Sequence, residues 1–160
     1  MLIRNIVRAF ASALLLVSAL HVNVASADEG NGRNRLVIGG VGNVYFINDT
    51  QLVGSAAGTF AALSSTIHSF VPQGDGTYKA TLTHNFLAAN NGFIITDDVM
   101  ILVPVKGRPD VYSFQVDYTV VKSGHGLDGY EGQKFKSQGL VDLKNSVAEV
   151  RYDGVIYSNR

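Results

Sequence analysis

The chain has 160 residues, 46% of them hydrophobic, with 13 basic and 13 acidic side chains and a formal net charge of +0. It contains neither cysteine nor tryptophan, which removes thiol nucleophiles, thiolate metal sites, disulfides and covalent haem attachment. No run of basic residues occurs, so nucleic acid and anionic membrane surfaces are poor partners.

The N-terminus reads as a secretory leader. Arg4 and Arg8 precede an apolar run over residues 9–20, interrupted only by Ser12 and Ser18. The run is well short of the roughly 20 residues needed to span a bilayer. Ala25-Ser26-Ala27 then supplies the small-x-small cleavage pattern, followed by Asp28. The expectation is a signal peptide over residues 1–27, cut after Ala27, and a secreted or periplasmic protein. Residues 28–35, "DEGNGRNR", are polar and unpatterned and read as a flexible start. Residues 36–160 are expected to form a single domain. No later apolar run is long enough to span a membrane.

Within the domain the punctuation is of the β type. "RLVIGGVGNVYFIND" reads as a strand broken at Gly39-Gly40. Those glycines lack the third glycine and the following helix of a dinucleotide fingerprint, so they mark a bulge or bend. Asn48-Asp49-Thr50 is a sequon in form and a turn by position. Residues 54–71 are ambiguous. Ala56, Ala57, Phe60, Ala61 and Leu63 allow a short helix of one or two turns, before a strand over residues 66–71.

After the turn "PQGDG" the pattern sharpens. Tyr78, Ala80, Leu82, His84 and Phe86 alternate with polar residues, the period of a half-buried strand. Residues 93–105 are apolar on both faces. Ile95, Val99, Ile101 and Val103 stand on one, and Ile94, Met100 and Leu102 on the other. One face can fill a core and the other needs a cover, from the N-terminal segment or a second subunit. Tyr112, Phe114, Val116, Tyr118 and Val120 alternate with polar residues, and two more strands follow over residues 134–143 and 146–157. Meander-linked strands with little helix predict an all-β fold, an antiparallel barrel or sandwich, and closure into a barrel would remove exposed edges.

"YTVVKSGHGLDGYEGQKFKSQGLVDL" carries Gly124, Gly126, Tyr130, Gly132, Phe135 and Gly139, and "VRYDGVIY" closes the chain. This stretch resembles the glycine-punctuated segment of the allene oxide cyclase and dirigent protein superfamily, including its bacterial secreted members. The resemblance covers residues 77–157. It implies an antiparallel eight-stranded β-barrel of calycin type with an apolar cavity, often assembled as a homo-trimer. Plant members cyclise an unsaturated fatty-acid epoxide or steer phenolic radical coupling, but their catalytic acids match no positions here. Lipocalins, the rival barrel, carry a Gly-x-Trp signature that a chain without tryptophan cannot have.

The chemistry concentrates in "TLTHNFLAANNGFIITDD". Asn91-Gly92 favours a hairpin turn, because both residue types accept positive φ. A two-residue loop makes His84 and Asp97 diagonal neighbours; a three-residue loop sets His84 opposite Asp98. The odd positions of the second strand are the more apolar, which favours Asp97 inside. His84, Asp97 and Asp98 are thus the candidates for acid–base catalysis. His84, Phe86, Asp97, Tyr112, Phe114 and Tyr118 are the candidate lining of a cavity. A structural clasp between His84 and a carboxylate explains the same pattern without chemistry. His68 and His125 show no ligand-like spacing, and neither a metal nor a cofactor is expected. Three functions remain open: binding a small apolar or aromatic ligand, an isomerase- or cyclase-like activity, and non-enzymatic self-assembly.

Overall fold

The computed structural model describes residues 33–159. The expected leader, and most of the expected flexible start, lie outside the described residues. Eight strands run in order: β1 (Arg35–Asn48), β2 (Gln51–Gly58), β3 (Ala62–Pro72), β4 (Tyr78–Leu87), β5 (Phe93–Pro104), β6 (Val111–Gly124), β7 (Lys134–Asp142) and β8 (Val147–Tyr157). Each pairs antiparallel with the next, and β1 pairs with β8, closing the barrel. β1 is held from its first residue, since Arg35 pairs with Tyr157 and the Asn34 amide donates to Ser158 Oγ at 2.8 Å.

Among the described residues there is no helix, and so none able to cross a membrane. The short helix allowed for residues 56–63 is replaced by the end of β2, a tight connection and the start of β3. Alanine, glycine and serine favour neither state strongly here. The ladder partners on β1 and β4 decide, pairing Ala56 with Gly42 and Leu63 with Phe86.

An eight-stranded barrel is just wide enough for side chains or one small ligand. Inner glycines make room for large neighbours. A Cβ on Gly40 would stand 2.4 Å from the Tyr152 hydroxyl, and one on Gly139 would stand 2.6 Å from the Phe114 ring. One end of the barrel is filled. Phe60, on the connection between β2 and β3, packs 4.8 Å from Phe86 and 5.6 Å from Tyr152, ring centre to ring centre. Phe135 lies 5.5 Å from Phe86 and stacks at 4.5 Å on Tyr118. Leu127 and Tyr130, both buried, come from the connection between β6 and β7 at this end.

The opposite end gathers the connections β1–β2, β3–β4, β5–β6 and β7–β8. A bulge near His68 changes the parity of β3, because Ile67 pairs with Leu82 while Phe70 pairs with Ala80. Both Ile67 and Phe70 therefore face the interior. With Phe46, Leu102 and Leu143 they line an open mouth of about 440 Å³.

The face of β5 that enters the barrel is the even one, contrary to expectation. Ile94 is 0% exposed, while Val103 on the odd face is 44% exposed. Register is the cause. Leu87 pairs with Phe93, leaving residues 88–92 as the connection, so even residues of β4 meet even residues of β5. Within it the Ala88 amide donates to the Gly92 carbonyl at 2.8 Å. Only Asn91 takes positive φ, at 66°, and Gly92 does not. Asn91-Gly92 therefore does not form the expected two-residue turn. Val99, Ile101 and Val103 stay outside as an exposed apolar row.

Candidate functional site

The inner face of β4 carries His84 midway between the filled end and the mouth. Its Nδ1 lies 2.6 Å from Asp98 Oδ2, and the same oxygen accepts a hydrogen bond from Thr96 Oγ1 at 3.0 Å. His84 faces Thr96 across the ladder and Leu82 faces Asp98, so the two titratable groups are diagonal neighbours on one face. The His84 ring lies parallel to Phe86 at 5.6 Å and edge-on to Tyr118 at 5.2 Å. The wall around the pair is therefore aromatic.

Burial governs the electrostatics. The Asp98 side chain is fully enclosed. Desolvation holds its carboxyl above the ordinary carboxylate range, against the opposing influence of the His84 and Thr96 hydrogen bonds. Burial also holds the Tyr118 phenol far above its ordinary value. That phenol shares a 2.7 Å hydrogen bond with Ser137 Oγ, which answers the need of a buried tyrosine for a polar partner. Two buried polar atoms have no hydrogen-bond partner within the described residues: Asp98 Oδ1 and Ser65 Oγ. Such atoms are rare in folded proteins.

An inner cavity of about 50 Å³ lies against this site. Its wall includes Ser65, His84, Phe114, Tyr118, Leu63 and Val116. Leu52, Leu82 and Met100 belong both to this wall and to the wall of the mouth. They form a collar between a wide apolar vestibule and a small chamber with polar points.

Of the expected lining residues, His84, Phe114 and Tyr118 are in the chamber wall. Phe86 sits just behind it, in the aromatic seal. Tyr112 stands half-buried near the mouth, edge-on to Tyr78 at 5.7 Å. Asp97 is not inside. It is exposed on the outer face, where it accepts a 3.1 Å hydrogen bond from Thr83 Oγ1, which is also 2.8 Å from His68 Nε2. The carboxylate that meets His84 is Asp98, and the preference for Asp97 inside is corrected by the observed register. His125 lies in the connection between β6 and β7 with its ring 5.6 Å from Phe93, far along the chain from His84 in the ladder.

Ser65, Thr96 and Met100 are not among the site residues expected from sequence. Ser65 sits in the ambiguous small-residue segment, where serine is indistinguishable from a turn residue. Thr96 and Met100 share the inner face with Asp98 and became legible only once the register was known. Among the described residues no three His, Asp or Glu side chains form a metal-binding group. Compared with protein-family models, curated proteins and solved structures, the chain finds no match.

Proposed function

We propose that the barrel binds one small, mainly apolar or aromatic molecule through its open end. The observation that carries this reading is that the apolar vestibule and the chamber lie against one another and share Leu52, Leu82 and Met100 in their walls. A volume of about 440 Å³ falls within the range of small-molecule sites, which are largely apolar with a few placed polar groups. The resemblance of residues 77–157 to the allene oxide cyclase and dirigent superfamily supports the same reading. A secreted or periplasmic setting, expected from residues 1–27, belongs to this proposal. So does a homo-oligomer that covers the outer row Val99, Ile101 and Val103; light scattering measures it, and a monomer at high concentration argues against it.

The test is titration with a neutral hydrophobic fluorophore, N-phenyl-1-naphthylamine. Saturable binding at one site is expected, lost when Met100→Trp fills the collar and kept when Val103→Asp alters the outer face. Binding that ignores Met100→Trp but disappears with Val103→Asp places the probe on the outer wall and refutes the reading.

A second reading, an isomerase- or cyclase-like enzyme, is favoured by the His84–Asp98 pair beside the chamber. A histidine held by a carboxylate is suited to proton transfer. Its mark is a bound molecule returned chemically altered by the wild type and unaltered by His84→Gln.

A further inference from the structure

We propose that the chamber is an anchor for a neutral hydroxyl group, held between Ser65 Oγ and the His84 ring, at the end of an otherwise apolar molecule. This rests on the binding reading above and names the chemistry of the ligand's head.

Ser65 and His84 are direct cross-strand partners in the β3–β4 ladder, both on the inner face. Side chains so placed start roughly 4.5–5.5 Å apart at Cβ. Both line the chamber. Asp98 occupies His84 Nδ1, so Nε2 is the ring's remaining hydrogen-bonding atom. Ser65 is 4% exposed and its hydroxyl has no partner within the described residues. A serine hydroxyl donates and accepts, and an imidazole nitrogen does one or the other. A ligand hydroxyl can therefore accept from one and donate to the other.

Charge excludes the neighbouring head groups. No lysine or arginine lines either the chamber or the vestibule. A carboxylate head would add a buried negative charge close to Asp98 with no cation to meet it. An ammonium head would add a buried positive charge to a chamber whose wall carries no carboxylate. An uncompensated buried charge is far more costly than a satisfied hydroxyl. Size agrees. About 50 Å³ accommodates a head of a few heavy atoms, since one water needs roughly 10–15 Å³ on this measure. The apolar remainder passes the collar, where the unbranched Met100 can adapt its shape, and fills the vestibule.

The experiment displaces N-phenyl-1-naphthylamine with a matched set: 1-octanol, octanoate, octylamine and octane. Octanol is expected to compete about three- to ten-fold more tightly than octane, the worth of one net hydrogen bond. Octanoate and octylamine are expected to compete more weakly than octanol. Ser65→Ala, a mild change, is expected to bring octanol down to the level of octane while leaving octane unchanged. His84→Gln is the second variant and is expected to act in the same direction. Equal competition by octanol and octane, a preference that survives Ser65→Ala, or tightest binding by octanoate overturns the anchor and leaves the binding reading standing. No displacement by any of the four overturns both.

Discussion

At one end of the barrel Phe60, Phe86, Phe135 and Tyr152 interlock and fill the interior. At the other end the same eight strands stop at Phe46, Ile67, Phe70 and Leu102 and leave a vestibule of about 440 Å³. The difference lies mostly in the connections. At the filled end they fold apolar side chains inward, with Phe60 between β2 and β3 and Leu127 and Tyr130 between β6 and β7. At the mouth they carry short polar turns. Asp75 accepts from Thr77, and Asp142 from Asn145. One wall thus serves two purposes, with stability concentrated at the aromatic end and room for a ligand at the other. The His84–Asp98 pair sits on the boundary.

Truncation should expose that asymmetry first. Phe86→Ala removes a ring packed against Phe60, Phe135, Tyr118 and Tyr152 and is expected to cost about 3–5 kcal/mol in denaturant unfolding. Phe70→Ala at the mouth, where the ring is 42% exposed, is expected to cost about 1 kcal/mol or less. Equal losses would break the comparison. Gly139→Ala probes the fit of the wall itself. The new Cβ would stand 1.9 Å from the Glu149 carbonyl oxygen, a backbone atom that cannot easily move. A loss of about 1–3 kcal/mol is expected, the usual cost of overpacking.

The boundary should show itself in pH dependence. Burial raises the Asp98 carboxyl above its ordinary range. Folding therefore favours its protonated form. The resulting stabilisation is complete below the unfolded carboxylate value of about 4 and is lost as pH rises through the raised folded value. Asp75 and Asp142 are held below the ordinary range by their turn hydrogen bonds and lose stability on acidification. They do so equally in wild type and variant. The Tm of the wild type is therefore expected to fall relative to that of Asp98→Asn as pH is raised from acid to neutral. A difference independent of pH would show that Asp98 titrates no differently in the folded chain. The smallest effect is expected outside the barrel, where Asp97→Asn should change stability by no more than about 0.5 kcal/mol and leave fluorophore binding intact.

The architecture was legible because period-two patterns are strong in β4, β6 and β8, where inward Leu82, Val116 or Tyr152 alternate with polar neighbours. β5 was harder. Both of its faces are apolar, so hydropathy carries no signal for which one enters. The deciding information is conformational, held in Asn91 at positive φ and in a connection longer than the Asn91-Gly92 pair alone suggests. That choice of face also exchanged Asp97 for Asp98 as the partner of His84. A buried carboxylate is tolerated there because His84 and Thr96 both bond to it. Ser65 stayed hidden for another reason. Its significance comes from what stands opposite it on β4, and sequence separation conceals that.

The contrast between the two ends is tested most directly by methyl NMR during titration with N-phenyl-1-naphthylamine. The account predicts shifts confined to Leu52, Ile67, Leu82, Met100 and Leu102, with Ile38, Ile94 and Ile156 at the filled end unchanged. Shifts centred instead on Val99, Ile101 and Val103, or spread evenly over both ends, would contradict it.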